Sequence, residues 1–259
     1  TSQVVNRYCD ISWPAGGQED GDKLLPVFMA LRAAVRAHVT AKQAGSADDG
    51  AGDLIAEARA YFYLAEGLLA ERPARLVAMG GLSGSGKSTI AAALAPHLGP
   101  APGARVISSD RTRKARYHTA PDQPLPPEAY APEVSARVYS DIARRAGALL
   151  ADGATVIADA VHDRAEDRTR IRDVATDSGV PFDGVWLEAE PEALHARLDT
   201  RDPGASDADA DVLDDQLARA PKSTDWQAVS TGGTVNDSLN RILAMVTRTR
   251  DTLSRRDDT

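Results

Sequence analysis

The chain has 259 residues, 42% of them hydrophobic, one cysteine and a formal net charge of −8. This length and apolar content supply a sizeable core, and the negative charge argues against a nucleic-acid surface held by general electrostatics. Cys9 by itself forms no internal disulfide and fits a reducing compartment. No apolar run approaches the roughly 18 residues that span a bilayer, so the expected location is cytoplasmic. The first residue is Thr1 rather than Met, a hint that a longer polypeptide continues upstream.

Residues 1 to about 20 carry Pro14, Gly16 and Gly17 and little periodicity, so they are expected to be irregular. From 23 to 43, Leu24, Val27, Phe28, Leu31, Val35 and Val39 recur at helical spacing, which predicts a helix with that stripe turned to a core. An acidic, glycine-containing break over 44–50 separates it from a second predicted helix near 53–70. There Leu54, Ala58, Tyr61, Ala65 and Leu68 share a face, and Pro73 ends the helix. Residues 1–72 thus read as an N-terminal helical segment dominated by a hairpin. Residues 73–259 read as a separate α/β domain.

That domain opens on an apolar strand at 75–79, followed by Gly81-Leu82-Ser83-Gly84-Ser85-Gly86-Lys87-Ser88-Thr89 and then an alanine-rich helix. The run fits the phosphate-binding pattern G-x-x-x-x-G-K-[ST], and strand–loop–helix is the context the pattern requires. Backbone N–H groups of Gly81, Ser83, Gly84, Ser85, Gly86, Lys87, Ser88 and Thr89 would cradle the phosphates of a nucleoside triphosphate. Lys87 would reach the β- and γ-phosphates, and the Ser88 hydroxyl would ligate Mg²⁺. No guanine-recognising N/T-K-x-D run stands at a suitable place, which favours ATP.

Further strands are expected at 104–109, 154–158, 182–187 and 226–229, alternating with helices near 134–151, 165–177 and 235–254. Such alternation predicts a mostly parallel five-stranded sheet covered on both faces, a three-layer sandwich. Ligands in these sheets sit beyond the carboxyl ends of the strands. The second strand ends at Ser108-Ser109-Asp110, where a carboxylate facing the phosphate loop could take a proton from an attacking hydroxyl. The third ends at Asp159, placed to hold Mg²⁺ with Ser88. His162 reads as an ordinary loop residue.

Directly after Asp110, the cations Arg111, Arg113, Lys114 and Arg116 crowd together, which suggests recognition of an anionic or polyhydroxylated acceptor. Arg113 and Arg116, with Asp110 and Asp159, are the candidate acceptor contacts. The proline-rich stretch 121–132 is expected to cover the crevice. Arg197 and Arg201 lie four apart, on one face of a continuing helix, and could close on the transferring phosphoryl group from a lid near 197–220. The acids over 202–211 read as structural or solvating rather than metal ligands, because their spacing lacks the glycine and terminal glutamate of a calcium loop.

On these residues, the stretch from 74 to about 256 resembles the kinase branch of P-loop phosphotransferases, which includes gluconate kinases, chloramphenicol phosphotransferase, zeta-toxin-type kinases and polynucleotide kinases. It is most similar to the bacterial kinase-type ATP-binding domain that follows an aminoglycoside-phosphotransferase-like domain. The similarity to that domain rests on residues 80–89 and on 205–219. Asn6-Arg7-Tyr8 and residues 25–33 are similar too, and there resemble the tail of the upstream domain. The resemblance implies Asp110 as general base, Lys87 and Arg201 as catalytic cations, and Arg197 as a nucleotide contact. It also implies ATP and Mg²⁺ as cofactors. It does not fix the acceptor.

The sequence therefore predicts a Mg²⁺-dependent ATP:acceptor kinase for a hydroxyl of a small molecule. Two alternatives stay open: a regulatory ATP-binding or ATPase module of a larger protein, and a nucleotide or polynucleotide-end kinase. Aromatics at 5% offer few stacking platforms for bases and weigh against the last.

Overall fold

β1 (Leu76–Gly81) is an unbroken run of buried residues, as expected of a strand covered on both faces. The computed structural model places it at the centre of a five-stranded sheet ordered β2-β3-β1-β4-β5. The other strands are β2 (Arg105–Ser108), β3 (Val156–Asp159), β4 (Phe182–Glu188) and β5 (Gln227–Ser230). Every pairing is parallel. Described residues are 2–12, 24–47, 49–70, 72–120, 122–200, 206–221 and 224–257.

Helices cover both faces and make two cores. On one face, α6 (Pro132–Ala151) and α7 (Ala165–Asp177) bring Val138, Ile142, Leu149 and Ile171 against Leu76, Ala158 and Trp186. On the other, α4 (Lys87–Leu94) and α10 (Val235–Asp257) bring Ile90, Leu94, Ile242 and Val246 against Val77, Met79 and Ile157. This is the predicted three-layer α/β sandwich. The short helices α5 (Ser109–Arg116), α8 (Pro191–Asp199) and α9 (Ala210–Arg219) stand around the carboxyl edge of the sheet.

The N-terminal region departs from expectation twice. Residues 2–12 form a helix, α1 (Ser2–Ser12), where irregular chain was expected. Asn6 explains it: its buried side chain donates to the Ala104 carbonyl at 3.1 Å and accepts from the Val106 N–H at 2.7 Å. It thereby satisfies backbone groups at and just before the start of β2, an edge strand that would otherwise leave them bare. The remainder of the predicted irregular stretch, 13–23, lies outside the described residues.

The second departure is the hairpin of α2 (Leu25–Ala44) and α3 (Ala51–Leu69). Its helices meet through Ala30, Ala33, Ala65 and Leu68. The predicted core stripe of α2 faces outward instead, with Phe28 and Leu31 each 59% exposed. Alanines let the two backbones approach closely, and the large residues follow onto the opposite face.

Candidate active site

The sheet register assembles the site. Asp159, the last residue of β3, is level with Met79 of β1 on one side and Ser108 of β2 on the other. Three strands therefore deliver the phosphate loop, Asp110 and Asp159 to one edge. Strand order reverses beside β1, where ligands of doubly wound sheets bind.

The loop folds as its glycines permit. Gly86 caps α4 with φ +87°, a left-handed conformation that side-chain-bearing residues rarely adopt. A Cβ on Gly84 would stand 2.7 Å from the Leu194 carbonyl oxygen, so α8 presses directly on the loop. Gly81 N–H donates to the Val161 carbonyl and Ser83 N–H to Gln216 Oε1 at 2.8 Å. Lys87 Nζ donates to the Leu82 carbonyl at 2.9 Å, folded over the loop.

A cavity of about 390 Å³ opens above this loop. Ser83, Gly84, Gly86, Lys87, Ser88 and Thr89 line it, while Gly81 and Ser85 lie buried beneath. Asp110, in the first turn of α5, and Asp159 face the same cavity. The Ser88 hydroxyl donates to Asp159 Oδ2 at 2.7 Å. Burial pushes the Asp159 carboxyl up from its ordinary range, opposed by Lys87 and the Ser88 bond.

A hydroxyl and a carboxylate side by side form a hard-oxygen pair that fits Mg²⁺, which characteristically binds through few protein ligands plus substrate phosphates and water. Among the described residues, no cluster of three or more His, Cys, Asp or Glu could hold a metal. A pair of this kind suits a cation that arrives with phosphates.

The basic helix α5 divides its cations differently from the sequence expectation. Arg113 joins the cavity, donating to the Ala129 carbonyl at 2.5 Å with its guanidinium 4.8 Å from the Tyr130 ring centroid. Arg116 does not join. It pairs with Asp141 on α6, because it lies one turn further along the helix and points off the cavity. Lys114 is buried at 2% exposure and pairs with Asp207 at 2.7 Å.

Asp207 also accepts from the Tyr130 hydroxyl at 2.7 Å and the Leu125 N–H at 2.9 Å. Against the upward pull of its burial, those bonds with Lys114 hold its carboxyl below the ordinary range. One carboxylate thus ties α5 and the proline-rich loop to the segment before α9. Asp209 caps α9 through the Val212 N–H, so Asp207 and Asp209 are structural, while Asp202 lies outside the described residues.

Arg197 lies in the last turn of α8. It donates to the Gly84 carbonyl at 3.3 Å and to the Thr231 carbonyl at 2.6 Å, and it lines the cavity. Arg201, the other predicted lid cation, lies outside the described residues. Tyr130, Tyr139 and Gln216 also line the cavity and went unnoticed in the sequence. Gln216 falls within the 205–219 stretch of the resemblance, which was the available signal for it. His162 is fully enclosed, edge-on to Tyr139 and Trp226, and does not reach the cavity.

Residues 76–222 match the family model described as AAA domain. The chain is 30% identical over 203 residues to the uncharacterized protein Rv2004c of Mycobacterium tuberculosis, covering 77% of this chain and 39% of that one. The chain therefore spans about two fifths of that relative. It is also 32% identical over 121 residues to an adenylyl-sulfate kinase of Myxococcus xanthus, covering 45% of this chain and 59% of the kinase. A gluconokinase from Sinorhizobium meliloti 1021 superposes with a TM-score of 0.50 at 22% identity, over 72% of this chain and 99% of that one. A sugar kinase from Janibacter sp. HTCC2649 does so with a TM-score of 0.50 at 21% identity, over 68% and 95%. With its phosphate loop at the centre of that fold, the chain belongs to the AAA domain family and has the architecture of the P-loop kinases.

Proposed function

We propose that this chain is an ATP:acceptor phosphotransferase acting on a hydroxyl of a small molecule. The observation that carries this reading is the convergence of Lys87, Asp110 and the Ser88–Asp159 pair on one cavity. The names of the adenylyl-sulfate kinase and the gluconokinase support it, since both proteins are kinases of small molecules.

Phosphoryl transfer asks a protein mainly to position reactants and to neutralise charge. The loop N–H groups and Lys87 would hold the triphosphate, with Lys87 leaving the Leu82 carbonyl for the β- and γ-phosphates. Ser88 and Asp159 would hold Mg²⁺, which when bound neutralises charge on the phosphate oxygens. Asp110 would accept the proton as the acceptor oxygen bonds to the γ-phosphorus and the bond to the ADP oxygen breaks. Arg197 would contact the nucleotide from the lid side, and Arg113 the hydroxyl end of the acceptor beside Asp110.

Coupled ADP release with Mg²⁺-ATP, against a panel of sugars, sugar acids, aminoglycosides and nucleosides, tests the reading. One acceptor class should raise turnover well above basal hydrolysis. Asp110→Ala should then lower kcat by about 10²–10⁴-fold while nucleotide affinity holds, and Lys87→Ala should abolish transfer. No acceptor-dependent turnover beside intact ATP binding would overturn it. That outcome would favour a regulatory ATP-binding module, a reading consistent with a relative of which this chain spans about two fifths.

A further inference from the structure

A second cavity, of about 680 Å³, lies on the other side of Asp110. It shares Ser88, Asp110, Asp159 and Ser206 with the phosphate-loop cavity, so the two meet at the reacting centre. Its far wall is α1, through Gln3, Val4 and Arg7, and its floor is Ala92 and Ala95 with Val106. Neither Lys87 nor Arg197 reaches it.

The α1 wall is fixed in place. Besides its two backbone bonds to the β2 edge, Asn6 Oδ1 accepts from the Arg105 guanidinium at 2.6 Å. Four residues on, Asp10 pairs with Arg111 at 2.6 Å and stands 3.9 Å from Arg145. These contacts bind α1 to the strand and helix that carry Asp110.

We infer that this cavity takes the non-reacting part of the acceptor, and that the acceptor carries an anionic group recognised by Arg7. This inference rests on the phosphotransferase reading above. The cavity has the volume of a site for a small ligand. A molecule seated there presents its near end to Asp110 without entering the space of the triphosphate.

Charge sets its direction. Asp110 and Asp159 repel an anion from the junction, whereas Arg7 edges the cavity on α1. Arg111 is held by Asp10. Arg7 is exposed and pairs with no acid among the described residues, leaving its guanidinium for a ligand. The acceptor is thus a bipolar molecule, with its hydroxyl at Asp110 and its anionic group at α1. Arg7 lies outside the stretch matched to the AAA domain family, so α1 adds specificity to the shared fold.

Calorimetric titration of the full chain, saturated with Mg²⁺ and a non-hydrolysable ATP analogue, tests this with three probes: glucose, gluconate and glucose 6-phosphate. At least one anionic probe should bind more tightly than glucose. Arg7→Glu should weaken that probe about tenfold or more, with the affinity for the ATP analogue unchanged. Ala92→Leu, which narrows the cavity from α4 without altering charge, should weaken it as well. Arg7 is on the surface, so an unchanged unfolding midpoint certifies the fold of its variant.

Anionic probes that bind no better than glucose, or an Arg7→Glu variant that binds them normally, would overturn the inference. So would an equal loss for the ATP analogue. The parent reading fails separately: anion binding lost in Arg7→Glu, with no acceptor-stimulated ADP release, would leave the site standing without the phosphotransferase.

Discussion

In the sheet body, Leu76, Met79, Ile107, Ile142 and Ile157 are enclosed, whereas in the hairpin Val27, Phe28, Leu31 and Val35 are each half or more exposed. Both regions are built from apolar residues at regular spacing. They differ in what spacing alone can say. A strand covered on both faces has no outer side to choose. An amphipathic helix has two sides, and α2 pairs with α3 through its alanines. Periodicity located the stripe on α2 but could not say which way the helix would turn it.

The difference can be broken most sharply in the body core. Ile142→Ala removes an enclosed side chain between α6 and the sheet and should cost about 2–5 kcal/mol in urea unfolding. A loss below about 1 kcal/mol would mean that this core is looser than its burial implies.

Charge probes the body a second way. Burial, with the Lys87 charge, pushes the His162 pKa down to about 3. As pH falls from about 6.5 towards 3, the unfolded chain takes up a proton that the folded chain refuses. Stability present at neutral pH is therefore lost through that window, by on the order of a few kcal/mol. His162→Asn tolerates the φ of +53° found there and carries no titrating group. Unfolding midpoints from pH 7 to pH 4 should lose that slope in the variant, and a slope that persists would show that other groups carry it.

The hairpin seam comes next. Ala33→Leu places a large side chain where α2 meets α3 and should cost about 1–3 kcal/mol through overpacking. A neutral result would show that the helices separate easily. The smallest effect belongs to Phe28→Ala, which should stay within about 0.5 kcal/mol in this chain because the ring is 59% exposed. A loss as large as that of Ile142→Ala would erase the contrast, since the α2 face would then have to be covered.

The phosphate loop, the alternation of strands and helices, and the carboxylates at the ends of β2 and β3 were legible in the order of residues. Each is a local pattern with a local cause: glycines for a tight anion cradle, apolar runs for buried strands, and polar residues where strands end. The Ser88–Asp159 pair followed from those patterns once the sheet was parallel, because its register sets their ends level.

Packing between elements distant in the chain set how the basic residues of α5 were divided. Arg113 reached the cavity, Lys114 was buried against Asp207, Arg111 paired with Asp10, and Arg116 went to Asp141. It also decided that residues 2–12 become a helix, because the groups Asn6 satisfies lie about a hundred positions away in the chain. Ion pairs and edge-strand contacts join distant residues. They depend on which elements become neighbours in space, and spacing along one chain does not record that.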